Sequence, residues 1–186
     1  MLVQDFTEAI KDYTKVIELD PDFAMAYFNR AVVRYKQLDY NMSQAASSQD
    51  DFSAMSMNLK MGKNPTVVRT PATSDPASAS LKDNKRAYEH EMITRDYDMV
   101  IKLNPSFVYA YFNRGNLRCA QRDFRAAIQD YSEAIQRDPE FAEAYFNRGL
   151  ARLSQGDANR GIADLSKAGE LGIINAYSII KRMTSN

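Results

Sequence analysis

The sequence contains little that could build disulfides, metal sites or a loop-rich scaffold. Its 186 residues include one cysteine, one histidine, seven glycines and six prolines. A single cysteine excludes an internal disulfide and a zinc site of several thiolates. The scarcity of glycine and proline favours helices. The chain is long enough for one domain of ordinary size with its own hydrophobic core.

Charge and hydropathy exclude further classes of protein. Lys+Arg and Asp+Glu number 24 each, whereas a nucleic-acid-binding protein usually carries a basic excess. The sequence has no run of 18 apolar residues, so it predicts no membrane-spanning segment. Residues 1–20 are amphipathic and charged, unlike a signal peptide. We therefore expect no nucleic-acid partner and no direct membrane segment, and a reducing compartment such as the cytoplasm is slightly favoured.

A six-residue stretch occurs three times in the chain. It reads AYFNRA at 26–31 and AYFNRG at 110–115 and 144–149. The last two copies start 34 residues apart and the first two start 84 apart, which is one 34-residue period plus 50 added residues. Three prolines and three tyrosines keep the same spacing: Pro21, Pro105, Pro139, Tyr13, Tyr97 and Tyr131. A period kept by several residue types indicates stacked structural repeats.

Each 34-residue unit predicts two helices. Residues 107–121 show apolar side chains at helical spacing, and residues 124–139 place them at i, i+3, i+4 and i+7. Asp138 ends the second helix, because a residue before proline is pushed out of the α region. The sequence predicts the following helices along the chain: 4–19, 23–40, 82–103, 107–121, 124–137, 141–155, 158–169 and 174–183.

These features resemble the tetratricopeptide repeat family over most of the chain. The motif of that family has an aromatic residue at position 4 and a small residue at position 8. Position 4 is occupied here by Tyr27, Tyr111 and Tyr145, and position 8 by Ala31, Gly115 and Gly149. The chain departs from the motif at position 7, where leucine is replaced by Arg30, Arg114 and Arg148. The resemblance implies an all-α fold, an α-solenoid of tetratricopeptide-type helix pairs that acts as a protein-interaction scaffold.

The resemblance also divides the chain, which is expected to be a single domain over 1–186. The divisions are 1–22 (the second helix of a truncated repeat), 23–106 (a repeat with an insertion at about 41–90), 107–140 and 141–172 (two repeats), and 173–186 (a capping helix). Terminal repeats need such a cap because their outer face is apolar. We expect the truncated N-terminal helix to leave an apolar side that invites self-association.

The 50 added residues shift in composition towards Ser, Ala, Met, Asn, Thr and Pro. A long helix across 62–80 is excluded by Pro65, Pro71 and Pro76. Ser80 and Asp83 match a capping box, so we expect the returning helix to start near Leu81. Two interpretations of the insertion stay open. It is either a tolerated surface loop or a folded arm that contacts the groove or a partner through Met55, Met57 and Met61.

Candidate catalytic residues are scarce. His90 is the only histidine, and no HExxH pattern surrounds it, so we expect an exposed surface histidine. Cys119 has no histidine near it in sequence and is expected to be a packing residue. Asp96 and Asp130 recur at the repeat period, and we expect each to pair with an arginine of a neighbouring helix. The sequence therefore predicts no catalysis, no cofactor and no metal site.

The remaining candidate site is a surface that the resemblance implies. In the tetratricopeptide family the first helices line a concave groove. The matching positions here form a candidate peptide-binding groove: Phe28, Asn29, Val32, Tyr35, Tyr109, Phe112, Asn113, Asn116, Phe146, Asn147 and Leu150. An asparagine offers both a donor and an acceptor to a peptide backbone, and aromatic rings supply apolar burial. The alternative is that the phenylalanines pack against adjacent helices and the asparagines bond to neighbouring groups.

The expected partner is another protein or peptide. The side chains at positions 2 and 6 of the groove indicate which part of a peptide it would bind. Many chaperone-binding members of the family hold a terminal carboxylate with lysine and arginine. Position 2 holds Met25, Tyr109 and Glu143 here, and position 6 never holds arginine. We therefore expect an internal, extended, partly apolar segment without a preference for a free carboxylate. Two other functions stay open: an assembly unit whose groove is filled by its own insertion or a second copy, and the regulatory part of a larger protein.

Overall fold

The computed structural model describes residues 2–47 and 76–184, and every regular element in these ranges is an α-helix. The described helices are α1 (Leu2–Leu19), α2 (Ala24–Ser47), α3 (Pro76–Leu103), α4 (Val108–Ala120), α5 (Phe124–Arg137), α6 (Ala142–Ser154), α7 (Ala158–Glu170) and α8 (Asn175–Thr184). The predicted all-α class is thereby confirmed. None of these helices is both long enough and apolar enough to cross a membrane.

The helices form two compact units. The first contains α1, α2 and α3 as far as Asp96, and the second begins at Tyr97 and contains α4 to α8. In the first unit α1 packs on α2, and in the second unit each helix from α4 to α8 packs on the next one along the chain. This is the sequential pairing of helices that a 34-residue period predicts.

The helices that flank the insertion are longer than the sequence predicted. The second helix, α2, continues to Ser47 instead of ending at residue 40, and α3 begins at Pro76. The predicted start near Leu81 is therefore wrong. Proline is accepted in the first turn of a helix because the backbone N–H that it lacks would have no helical partner there. The expectations for Met55, Met57 and Met61 lie outside the described residues.

Small residues at position 8 allow the two helices of a repeat to approach closely. A Cβ atom on Gly115 of α4 would lie 2.7 Å from Cε1 of Tyr131 on α5. A Cβ on Gly149 of α6 would lie 3.0 Å from the carbonyl oxygen of Gly161 on α7. Both distances are too short for an unperturbed contact, so glycine at these positions follows from the packing of the helices.

The hydrophobic core of the second unit follows the helix pairs. One buried cluster joins α4, α5 and α6 through Tyr111, Ala134, Ile135 and Ala144. Another joins α6, α7 and α8 through Phe146, Leu165, Ala168 and Ala176. Because Ala176 is fully buried against α7, α8 covers the final repeat as the capping helix that the sequence predicted.

Candidate peptide-binding surface

The arginine of the recurring stretch pairs with a buried aspartate of its own repeat. The Nη2 atoms of Arg30, Arg114 and Arg148 lie 2.6, 2.6 and 2.8 Å from Oδ1 of Asp96, Asp130 and Asp164, respectively. A second arginine, one helical turn later, contacts Oδ2 of the same carboxylate. These contacts are Arg34–Asp96 at 3.1 Å, Arg118–Asp130 at 2.8 Å and Arg152–Asp164 at 2.7 Å. The predicted pairing of Asp96 and Asp130 with arginines of a neighbouring helix is confirmed.

The same arginines also reach back to the preceding second helix. Arg30 Nη1 donates to Thr14 Oγ1 at 3.1 Å, and Arg148 Nη1 donates to Ser132 Oγ at 3.0 Å. Arg114 Nη1 donates to Asp98 in the same way. Each arginine therefore joins two second helices across the first helix that carries it. This explains why arginine replaces the leucine of the family motif at position 7.

Burial and charge pairing change the pKa values of the residues in these clusters. Burial raises the pKa of Asp130, against the opposing effect of Arg114 and Arg118. Burial also tends to lower the pKa of Arg114, but hydrogen bonds and charges from Asp130 and Asp98 outweigh it and raise the value. The carboxylate is thus enclosed and held on both oxygens by guanidinium groups, which is the arrangement of a scaffold and not of an acid–base catalyst.

The only histidine is buried, so the expectation of an exposed His90 is wrong. Its exposed fraction is 9%. Burial, followed by the positive charge of Arg86, lowers the pKa of His90. Counting one period back from Phe124 leads to residue 90, so His90 occupies the place that an aromatic ring has in the next repeat. The 50 added residues hide this register, because they separate position 90 from its equivalent in the preceding repeat by more than one period.

The single cysteine packs in the interior, as expected. Cys119 is buried, its Sγ lies 3.4 Å from the hydroxyl of Tyr131, and burial raises the pKa of the thiol. A raised pKa disfavours the reactive thiolate form. In the part of the chain that the structure describes, no group of His, Cys, Asp and Glu is arranged to hold a metal ion.

Four of the predicted groove residues form one line on α4, which we call the α4 stripe: Tyr109, Phe112, Asn113 and Asn116. They are spaced at i, i+3, i+4 and i+7, which places them on one face of the helix. Tyr109 is 57% exposed. Its ring packs edge-on against Phe141, with centroids 5.5 Å apart, and against Phe107 at 6.1 Å. The stripe therefore presents an aromatic ring that other rings already hold in place.

The asparagines of the predicted ladder differ in their contacts. Asn116 Oδ1 accepts hydrogen bonds from Tyr131 Oη and from Nδ2 of Asn147, both at 2.8 Å. Asn147 of α6 is thereby joined to the α4 stripe. Asn113 is half-buried, and among the described residues its side chain has no hydrogen-bond partner. Its amide is therefore the polar group of the stripe that remains open to a ligand.

The other predicted groove residues have different surroundings. Phe146 is 7% exposed and packs with Leu165, and Leu150 lies at the edge of that cluster. Four residues lie half-buried on α2 in the first unit: Phe28, Asn29, Val32 and Tyr35.

The sequence analysis did not identify the two phenylalanine rings that pack against Tyr109. A phenylalanine recurs at the repeat spacing as Phe23, Phe107 and Phe141, and that regularity would have identified two of the supporting rings. The burial of Phe146 against Leu165 depends on tertiary packing, which the repeat spacing does not reveal.

The fold and the site define an all-α helical-repeat protein. The sequence profile of the TPR repeat matches residues 4–37 and 115–156. Two solved structures of MamA share the fold. These are a double mutant from strain RS-1 (15% identity, TM-score 0.60, covering 91% of this chain and 67% of that one) and a form from Desulfovibrio magneticus RS-1 (15%, 0.59, 91% and 68%). The TPR domain of Arabidopsis OM64 is 28% identical, with TM-score 0.49 over 58% of this chain and 88% of that one.

A comparison with curated proteins gave no match. The TPR profile and the pattern of helix pairs agree with each other. Residues 4–37 and 115–156 therefore contain tetratricopeptide repeats, and proteins with such repeats generally serve as protein-interaction scaffolds and are typically non-catalytic.

Proposed function

We propose that this chain is a non-catalytic scaffold that binds an extended, partly apolar segment of another protein along the α4 stripe. The observation that carries the proposal is the combination of an exposed ring, Tyr109, with an open amide, Asn113, one helical turn away. A peptide that lies across α4 would place an apolar side chain on Tyr109 and a backbone amide group on Asn113.

The stripe is suited to binding because its parts are ordered in advance. Phe141 packs against both Tyr109 and Phe112, with ring centroids 5.5 and 4.7 Å apart. A ring that is already held loses little conformational freedom on binding, which favours affinity. An asparagine can donate to a backbone carbonyl and accept from a backbone N–H at the same time. Asn113 therefore fits the repeating polar groups of an extended chain.

The charges nearby argue against recognition of a free carboxylate. Every arginine of α4 and α6 is paired with a buried aspartate: Arg114, Arg118, Arg148 and Arg152. Glu143, in the first turn of α6, adds an exposed negative charge. The strong charge-assisted bonds that hold a carboxylate need free cations, so an internal segment is the better ligand.

The proposal is tested by selecting peptides from a random display library on the intact chain. Selected peptides are synthesised with a free acid and with an amidated end and titrated by fluorescence anisotropy. The expected dissociation constants of acid and amide agree within about twofold. The double change Tyr109→Ala and Asn113→Ala should weaken binding at least tenfold, about 1.4 kcal/mol. The matched control is Arg125→Ala, an exposed residue of α5, which should leave affinity unchanged.

Two outcomes would refute this proposal. One is a tenfold preference for the free acid over the amide. The other is full affinity in the double variant of Tyr109 and Asn113, which would place the bound peptide elsewhere on the chain.

A further inference from the structure

The charges on α4 and α6 are unequally compensated. These two helices carry one acid, Glu143, and four arginines: Arg114, Arg118, Arg148 and Arg152. All four arginines are paired with buried aspartates of the second helices. Glu143 is exposed, and its carboxylate has no hydrogen bond or ion pair within the described ranges. Its negative charge is therefore the one that these two helices leave open to a ligand.

Glu143 lies next to the α4 stripe. Phe141, the residue before α6, packs its ring against both Tyr109 and Phe112, and Glu143 follows it by two residues in the first turn of α6. Glu143 is also the equivalent of Tyr109, one 34-residue period later. The helices α4 and α6 are in contact, and the axes of packed helices lie about 8–10 Å apart. An extended segment advances about 3.4 Å per residue, so about three residues lead from Tyr109 to Glu143.

The fold does not require an acid at this position. A carboxylate in the first turn of a helix interacts favourably with the helix dipole, which gives Glu143 a structural use. The equivalent residues of the other two recurring stretches are Met25 and Tyr109, and neither α2 nor α4 has an acid in its first turn. Both helices form without that charge. A change of charge at Glu143 is therefore suited to testing recognition separately from folding.

We infer that the segment of a partner protein bound by the α4 stripe carries a lysine or arginine about three residues from the apolar side chain that packs on Tyr109. This basic side chain pairs with Glu143. The inference rests on the proposed function, because it names the chemistry of the segment that the same surface binds. The exposed ring of Tyr109 favours the same charge, since the face of an aromatic ring attracts a cation. The partner segment is thus apolar and basic.

Selection of peptides on two forms of the full chain tests the predicted charge. A random display library is selected in parallel on wild type and on Glu143→Lys. Wild type should enrich peptides in which a lysine or arginine lies within about four residues of an aromatic or large aliphatic residue. The variant should enrich aspartate or glutamate at the same place, because complementary charge determines specificity more than raw affinity. The same preference for basic residues on both forms would overturn the inference.

Charge exchange then locates the contact. One peptide selected on wild type is titrated by fluorescence anisotropy. Glu143→Lys should weaken its binding at least fivefold, and replacing the basic residue of the peptide by glutamate should restore affinity on the variant. Added salt should weaken the wild-type complex, because exposed charges are screened. The matched control is Glu18→Lys, an exposed acid of α1 in the other compact unit, which should leave affinity unchanged. Circular dichroism checks that each variant is folded.

The results separate this inference from the proposed function. If Tyr109→Ala with Asn113→Ala weakens binding and Glu143→Lys does not, the α4 stripe binds a segment of other chemistry, and only the inference is overturned. If the double variant keeps full affinity, the proposed function fails and the inference fails with it.

Two further results would replace the partner protein by another occupant. Peptide binding that develops only after residues 54–69 are deleted would identify the chain's own insertion as the occupant. A dimer in sedimentation that Glu143→Lys dissociates would identify a second copy. Either result would overturn the assignment of the surface to a partner protein.

Discussion

At the scale of single residues, the same aspartate position has two environments within one chain. Asp130 is 2% exposed and receives two arginines, whereas Asp12 is exposed. We expect Asp130→Ala to lower the free energy of unfolding by about 3–5 kcal/mol, because it leaves two guanidinium groups largely buried without their counter-charge. The matched change Asp12→Ala should stay within about 0.5 kcal/mol. Urea denaturation of both variants measures the difference.

The arginine–aspartate cluster leads to a second prediction about stability. Replacing Arg114, Arg118 and Asp130 together by leucine should cost less than Asp130→Ala alone, because the desolvation of the charges is removed with them. A triple variant that is less stable than the single variant would show that the ion pairs contribute net stability.

His90 makes stability depend on pH in a predictable direction. Burial holds its pKa in the folded state below the unfolded value, so the neutral form is favoured by folding. Well above the unfolded pKa of about 6.5 the group is neutral in both states and contributes no pH dependence. Below it the unfolded chain takes up a proton first, so the free energy of unfolding falls as the pH falls.

The pH effect of His90 can be isolated by replacing it with phenylalanine, the residue at the equivalent position 124 of the next repeat. His90→Phe should reduce the loss of stability between pH 7.5 and 5, by at most about 1.4 kcal/mol per pH unit. The readout is the difference between variant and wild type in urea titrations across this range. A difference that does not change with pH would contradict the assignment.

At the scale of helices and turns, equivalent turns differ in one residue. The turn after α4 places Arg122 at φ 63°, and the turn after α6 places Gly156 at φ 84°. Residues other than glycine are strained in this left-handed region of positive φ, by roughly 1–2 kcal/mol. Arg122→Gly should therefore stabilise the protein by about 0.5–1 kcal/mol after the entropy cost of glycine.

The reverse change provides the control for this turn. A Cβ on Gly156 would meet no atom within 4 Å, so Gly156→Ala tests backbone strain without a steric clash. We expect it to destabilise the protein by about 1 kcal/mol. Thermal unfolding that moves in the same direction for both variants would rule out strain as the cause.

The sequence predicted most helices because their signals are local and periodic. Apolar spacing, Asp138 before Pro139, and the 34-residue period place the helices from α4 to α8 within a residue or two. The ends of α2 and α3 were missed because the composition of the insertion looks unlike a helix. The surroundings of Phe146 and Asn147 depend on which neighbouring side chain they meet, and spacing within one helix does not contain that information.

At the scale of the whole molecule, the insertion and the core are expected to contribute unequally to stability. Tyr111 is 6% exposed, accepts from Arg137 at 2.9 Å and donates to the carbonyl of Pro105 at 3.1 Å. We expect Tyr111→Ala to cost about 3 kcal/mol or more. Deleting residues 54–69 should change the free energy of unfolding by less than about 1 kcal/mol, because loop closure depends weakly on length.

Chemical denaturation of both variants beside wild type makes this comparison. A deletion as harmful as Tyr111→Ala would mean that the insertion is part of the folded core and not a tolerated surface loop.

The arginine that links two second helices has a consequence for how such a chain can change by gene duplication. Arg114 and Arg148 each find one partner 16 residues before them and another 16 residues after them. Copying or removing a 34-residue block within residues 98–164 keeps both intervals, so each remaining arginine of that region keeps a partner on both sides. The forward interval can also be longer than 16 residues. The forward partner of Arg30, Asp96, lies 66 residues after it and still accepts its hydrogen bond. The number of repeats is therefore free to vary, while the bonding of each repeat to its neighbour is inherited unchanged.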